Sequence, residues 1–389
     1  MIVAGEASGD MHGADLLRAL LQLNPRVRIS GVGGARIRAV CPGVMFDASE
    51  MAVVGFTEVL EKLPGIIRTY RRLKRALETI RFDLLILIDY PFFNLRLARV
   101  AKKMRIPVLY YISPQIWAWR KGRVKQIARL VDCMAVIFPF EVPFYYKENV
   151  QVKFIGHPLI DLVRPVLSRQ EAAKQFNLDR EKTTIGLLPG SRDSEIKSML
   201  PKMLEAARIL SHKEGRFQFI LPLAPTCDEA NLHNILDKFD VTVKVFKEHY
   251  YDIIHASDFL VVASGTATLE AAMLGIPMVI VYRTSLLTYL LGRLLVSIKN
   301  IGLVNIVAEK QVVPELIQWQ MRPDRIVQEA LAILDDPDRL SWIRQEFLKI
   351  KNKLGEPGAS FRVARLAHEF IMSKGGDQRS SASFSKVVL

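Results

Sequence analysis

At 389 residues, half of them apolar and 24% charged, the chain is too long for one ordinary core and has the size of two domains of roughly 150–200 residues each, which excludes disorder for its bulk. The 54 Lys and Arg against 40 Asp and Glu give a formal charge of +14, suited to an anionic partner: a phosphorylated ligand, nucleic acid or an acidic lipid surface. Cys41, Cys133 and Cys227 show no CxxC spacing, which argues against a disulfide framework or zinc knuckle and for a reducing cytosol.

The longest charge-free run, Ile106 to Trp119, contains two prolines and is shorter than the about 20 apolar residues of a spanning helix. The N-terminus MIVAGEASGD has no basic stretch before its apolar residues and no cleavage pattern. The expectation is a protein that stays inside the cell.

In chain order, MIVA precedes a helix from about Met11 to Leu23, and RISGVGG reads as the next strand. A basic helix from about Leu63 to Ile80 leads into DLLILID (83–89), followed by a helix through Arg96 to Met104, the strand IPVLYYI, a helix near 122–130, and the strands CMAVIF (133–138) and VKFIG (152–156). The pattern pauses at the polar stretch 157–182 and restarts as TTIGLLPGSR, a helix at 194–212, FQFILPLA, VTVKVF, a short helix near 249–255, DFLVVAS, a helix at 266–274 and IPMVIVYR. Continuous apolar strands separated by helices predict an α/β protein of two doubly wound parallel sheets. The tail GGDQRSSASFSKVVL is compositionally biased and reads as a disordered end.

Ligands of such sheets sit beyond the carboxyl ends of the strands, and four ends stand out. GEASGD (5–10) is not GxGxxG, and Glu6 at its mouth repels a pyrophosphate; a pocket for sugar hydroxyls fits better, while Ser8 or Asp10 can equally cap the next helix. Asp89 follows five apolar residues, so its pKa should rise as a general base requires, unless it is a helix cap or an ion-pair partner. In LLPGSRDSEI, Gly190 and Ser191 open a helix start that favours an anion, and Arg192 adds a fixed positive charge. In VVASGTATLEAAMLGIPMVIVYR (261–283), Ser264, Gly265, Thr266 and Thr268 offer hydroxyls and close backbone approach, and Glu270 can accept from vicinal hydroxyls such as those of a ribose. Two anion-holding helix starts in the second half imply a diphosphate there.

GEASGD, LIDYPFFN (87–94), YYISPQIWAWR (110–120), FPFE (138–141), FIGHPL (154–159), LLPGSR (187–192), SGTATLE (264–270) and VNIVA (304–308) together resemble the lipid-A-disaccharide synthases, from Ile2 to about residue 370. The resemblance implies the GT-B fold, two Rossmann-like domains facing across a cleft, with residues 1–165 as the acceptor and membrane-facing domain, 166–354 as the UDP-sugar domain, a helix at about 355–372 returning to the first, and 373–389 as a flexible tail. It implies an inverting transfer of 2,3-diacylglucosamine from UDP to 2,3-diacylglucosamine 1-phosphate (lipid X), giving a β-1,6 disaccharide phosphate and UDP without a metal or cofactor. The family's essential aspartate falls on Asp89, its N-terminal glutamate on Glu6, its arginine on Arg192, its ribose glutamate on Glu270 and its active-site asparagine on Asn305. Here only Met1 to Val3 precede the first turn, fewer residues than the family's first strand normally has.

Gly190, Ser191, Arg192, Ser264, Gly265, Thr266, Thr268, Glu270 and Asn305 are therefore expected at the UDP sugar. Asp89 and Glu6 are expected at the chemistry, and Ser8, Ser113, Gln115 and Arg120 along the acceptor cleft. His12 and His157 are alternative bases. The acyl chains of both substrates direct the site to the anionic cytoplasmic face of the inner membrane. The stretch Glu61 to Arg81, with seven basic residues against two acidic and with Val59, Leu60, Leu63, Ile66 and Ile67 leading into it, resembles an interfacial anchor, because the Pro64-Gly65 break would leave those apolar residues in a loop; a solvated helix face is the other reading. The stretch 285–303 is a second such candidate, explained equally by helix packing. Nucleic acid is not expected, for no zinc-finger, RNP-like or helix-turn-helix signature occurs; a homo-oligomer remains open. The rival functions are another UDP-sugar enzyme of the same fold, such as the peptidoglycan N-acetylglucosaminyltransferase or UDP-N-acetylglucosamine 2-epimerase, and a membrane-surface nucleotide-sugar sensor.

Overall fold

The computed structural model describes residues 1–43, 46–47, 56–114, 123–213, 215–223, 227, 229–285, 289 and 300–375. Two compact units are present: Met1–Pro158 together with the chain from Glu356 on, and Leu159–Gly355. Each is built on a parallel sheet whose central strands are apolar runs of the sequence buried on both faces, with partly exposed strands at the edges.

In the first unit the strands are β1 (Ile2–Ala4), β2 (Gly31–Gly33), β3 (Phe46–Asp47), β4 (Leu85–Ile88), β5 (Val108–Tyr111), β6 (Cys133–Val136) and β7 (Val152–Phe154), in the order β3-β2-β1-β4-β5-β6-β7. The short β1 lies in the middle, with Val3 opposite both Val32 and Leu87. Its core joins Val3, Leu85, Leu87, Val108 and Tyr110 to Leu73 and Leu77 of the covering helix.

Helix α1 spans Ala7–Leu23, starting four residues earlier than its sequence pattern predicts. Glu6 is the extended residue before it and makes no side-chain cap. Asp10, inside the first turn, caps a different helix: its carboxylate accepts from the N–H groups of Gly34 (2.6 Å), Arg36 (3.0 Å) and Ile37 (3.0 Å) at the start of α2 (Ala35–Val40). The capping role expected of Ser8 or Asp10 on their own helix is thus corrected, because both lie beyond the cap position. Helix Ala359–Gly375 packs along α1 in this unit, and Arg362 Nε donates to the carbonyl of Ile155 at 2.7 Å.

Helix α3 spans Phe56–Thr79 with Pro64 inside it, which corrects the expected break at Pro64-Gly65. Proline removes one helical hydrogen bond. The inward stripe of Thr69, Leu73, Ala76 and Leu77, all buried, holds the downstream part of the helix against the core. Helix α4 follows β4 as Pro91–Lys103.

The second unit contains β8 (Thr183–Leu188), β9 (Phe217–Pro222), β10 (Val243–Phe246), β11 (Phe259–Ala263), β12 (Met278–Tyr282) and β13 (Glu315–Ile317), ordered β10-β9-β8-β11-β12-β13. Both sheets therefore share the 3-2-1-4-5-6 winding of dinucleotide-binding folds, with the order reversing between β1 and β4 and between β8 and β11.

Candidate functional site

The crevice of a doubly wound sheet opens where the strand order reverses. In the first unit the residues just past β1 and β4 are Gly5-Glu6 and Asp89-Tyr90; in the second, those past β8 and β11 are Pro189 to Arg192 and Ser264-Gly265.

Asp89 and Tyr90 both adopt left-handed backbone conformations, with φ of 45° and 47°, a strained arrangement for consecutive non-glycine residues. The turn is held from beneath. Tyr110 donates its hydroxyl to the Asp89 carbonyl at 2.5 Å, and Asn94 Nδ2 donates to the same oxygen at 2.7 Å and to Ile88 at 3.1 Å. Tyr90 folds over the β1 turn, where a Cβ on Gly5 would lie 2.7 Å from its ring; only glycine fits.

Burial and the nearby Glu6 carboxylate raise Asp89 to about 6, against the opposing effect of the Tyr90 N–H. Tyr90, not Asp89, occupies the α4 cap position, and among the described residues Asp89 enters no ion pair, so neither structural alternative accounts for it. Burial instead lowers His12 to about 4 and His157 to about 3. His157 packs against Phe138 with ring centroids 5.0 Å apart.

In the second unit a cavity of about 370 Å³ is lined by Gly190, Ser191, Arg192, Glu195, Tyr250, Ser264, Gly265, Thr266 and Glu270, among others, a volume within the range of small-molecule sites. Gly190 is at φ 114°, and a Cβ there would collide with Glu195. Arg192 is the cap-position residue of helix Asp193–Ser211. Thr266 holds that position before helix Ala267–Met273. Glu270 accepts from Tyr250 (3.3 Å) and Tyr251 (3.4 Å). Burial raises its pKa, and these two hydroxyls oppose the rise.

Seven of the nine residues expected at the UDP sugar thus line one cavity, and two do not. Thr268 is fully buried and donates to the Gly265 carbonyl at 2.8 Å. Asn305 is fully buried too. Its amide donates to Val313 O (2.9 Å) and Glu315 Oε1 (2.7 Å), and its oxygen accepts from Val312 (2.8 Å) and Val313 (3.1 Å). With every bonding direction of the amide used internally, Asn305 supports the wall and does not face the cavity. In the first unit, Ser113 is likewise turned inward, sharing a 2.6 Å hydrogen bond with the Tyr145 hydroxyl and donating to Pro114 O, so it does not face an acceptor. Ser8 is exposed. Gln115 and Arg120 lie outside the described residues, as does most of 285–303.

The family model described as lipid-A-disaccharide synthetase matches residues 1–367. The chain belongs to the lipid-A-disaccharide synthetase family. A lipid-A-disaccharide synthase of Syntrophus aciditrophicus is 51% identical over 372 residues, covering 95% of this chain and 97% of that one. One of Geobacter metallireducens is 48% identical over 374 residues, covering 96% and 97%. Among solved structures, an S. aureus MnaA–UDP co-structure matches with a TM-score of 0.64 at 12% identity, covering 99% of this chain and 98% of that one. Acinetobacter baumannii MurG matches with 0.59 at 15%, covering 95% and 99%. The fold is GT-B, shared with epimerases and transferases alike; sequence kinship, not fold, separates this family from them.

The sequence left four residues of this candidate site unmarked. Tyr250 and Tyr251 hold Glu270, Glu195 lines the cavity, and Glu315 receives Asn305. Only Glu195 carried a signal, being an acidic residue one turn into a helix whose start is otherwise built for an anion.

Proposed function

We propose that this chain performs its family's disaccharide-forming glycosyl transfer with UDP held in the second unit and the acceptor alcohol activated in the first. The observation that carries the reading is the cavity at the second switch point, where Arg192, two helix starts and the half-buried carboxylate of Glu270 converge. The Arg192 guanidinium and the N–H groups near Ser191 and Gly265 neutralise charge growing on the departing diphosphate, with no cation required. Glu270, oriented by Tyr250 and Tyr251, accepts from the ribose hydroxyls.

Asp89 is the base. Its carboxylate takes the proton of the 6-hydroxyl of 2,3-diacylglucosamine 1-phosphate as that oxygen bonds to the anomeric carbon of the transferred 2,3-diacylglucosamine. The bond from that carbon to UDP breaks in the same displacement, so the configuration inverts. Burial, helped by the nearby Glu6 carboxylate, keeps the Asp89 pKa high enough for the proton to be accepted and later released near neutrality.

Acyl substrates bring the enzyme to a membrane. Leu63 and Ile67 are each 41% exposed on α3, beside exposed Arg68, Arg71 and Arg75, and we assign this face to anionic lipid at the cytoplasmic leaflet. Ile66, also expected in the anchor, instead packs against the core, and Val59 and Leu60 have side chains outside those described. No described helix is long and apolar enough to cross a membrane.

Incubation with both lipids, followed by mass spectrometry, tests the reaction. A tetraacyl disaccharide phosphate is the expected product; an epimerised nucleotide sugar, or no turnover despite UDP binding, would overturn it.

A further inference from the structure

Among the described residues, the cavity proposed for UDP carries charge of the wrong balance for a diphosphate: one guanidinium, Arg192, against the carboxyl groups of Glu195 and Glu270. Moreover, its cation is already engaged. Glu195 Oε1 accepts from Arg192 Nη1 at 3.1 Å, and Glu195 Oε2 accepts from the Ser191 N–H at 3.1 Å. These are the side-chain and backbone groups that a phosphate at this helix start would use. The Glu195 side chain is 23% exposed, while Arg192 is 60% exposed, so the carboxylate is the better enclosed of the pair. Its field reaches the Tyr282 hydroxyl, whose pKa burial raises first, with Glu195 adding to the rise and Arg192 opposing it.

We propose that Glu195 is a resident anion that holds the diphosphate's partners between turnovers, yields them to the incoming UDP sugar, and returns to them to speed the loss of UDP. This inference rests on the cavity being the UDP site. It makes Glu195 a positioning residue, one that acts through Arg192 and Ser191 and sets the affinity for product.

An ordinary structural role predicts the opposite sign. A glutamate in the first turn that accepts from a backbone N–H resembles half of a capping box, and its loss lowers stability while leaving UDP binding unchanged or weaker. Glu195→Gln separates the two, because the amide oxygen can still accept from Ser191 while the charge is gone. Calorimetry with UDP should show about tenfold tighter binding, and UDP should become a correspondingly stronger product inhibitor. Glu195→Ser provides the same readout if the glutamine variant does not fold. Unchanged or weaker UDP binding in a folded variant overturns the proposal. Arg192→Ala marks where a failure lies. If it loses UDP while Glu195→Gln stays unchanged, the site stands and the resident-anion role falls; if it binds UDP normally, both fall.

Discussion

Asn305 Nδ2 donates to Glu315 Oε1 at 2.7 Å, and that same carboxylate accepts from the N–H groups of Ile301 at 2.8 Å and Gly302 at 3.1 Å. Ser264, in the cavity wall, donates its hydroxyl to the carbonyl of Ile301 at 3.0 Å. One buried amide therefore anchors the segment that braces the wall.

Asn305→Ala should accordingly behave as a wall mutant. It leaves the Val312 and Val313 N–H groups without their buried acceptor and takes one of three donors from Glu315, a loss of about 2–3 kcal/mol that thermal unfolding would register. The KM for the UDP sugar should rise while kcat changes little. A kcat collapse at unchanged KM would instead mark direct contact with the reacting atoms.

Asp89 sets opposite requirements for stability and turnover. Its folded pKa of about 6 lies above the ordinary carboxyl value of 3.8, so the folded state binds this proton more tightly than the unfolded chain does. Folding is unpenalised below pH 3.8; the penalty of ionising a buried group grows as pH rises through about 6 and is complete above it, at roughly 2–3 kcal/mol. Asp89→Asn should therefore gain stability at pH 8 while losing about 10²–10⁴-fold in turnover. Wild-type kcat/KM should fall as pH drops below about 6.

Tyr110 and Asn94 share the Asp89 carbonyl, and their removal should release the strained turn. In Tyr110→Phe the acid limb of the rate profile should move below pH 6, toward the value of a solvated carboxylate, with kcat reduced about tenfold. An unshifted limb would show that the turn holds without the hydroxyl.

The sheets and both switch points were legible because parallel strands buried on two faces leave unbroken apolar runs, and a functional residue at a strand end follows such a run directly. Asp89 and Arg192 were singled out on that ground. Thr268 and Asn305 were misplaced because residue type shows what a side chain can bind, not which neighbours claim its hydrogen bonds first. Asp10 illustrates the same limit, since its three partners lie more than twenty residues away on α2. Pro64-Gly65 read as a break because local propensity says so; packing of the α3 stripe carries the helix onward.

Glu270 offers a chemical readout. If it accepts from the ribose, the enzyme should bind 2′-deoxy-UDP about tenfold more weakly than UDP, because a charged hydrogen bond is lost. Glu270→Gln should narrow that ratio, and Tyr250→Phe, which removes one of the two hydroxyls on the carboxylate, should narrow it partly. An undiminished ratio in Glu270→Gln would place the ribose elsewhere.

The α3 face tests the membrane assignment through two separable forces. Leu63 and Ile67 are exposed on the same helix as the basic Arg68, Arg71 and Arg75, so insertion and charge attraction should act together. Each basic residue near an anionic surface contributes about 1 kcal/mol, and this term fades as salt shortens the screening length. Arg68→Ala with Arg71→Ala should weaken sedimentation with phosphatidylserine vesicles by more than tenfold at low salt and by much less at high salt. Leu63→Ser with Ile67→Ser should weaken it at both, since apolar insertion is not screened. UDP affinity should stay unchanged in each pair, because α3 and the cavity belong to different units. If all four substitutions together leave sedimentation intact, the lipid-facing surface lies elsewhere on the molecule.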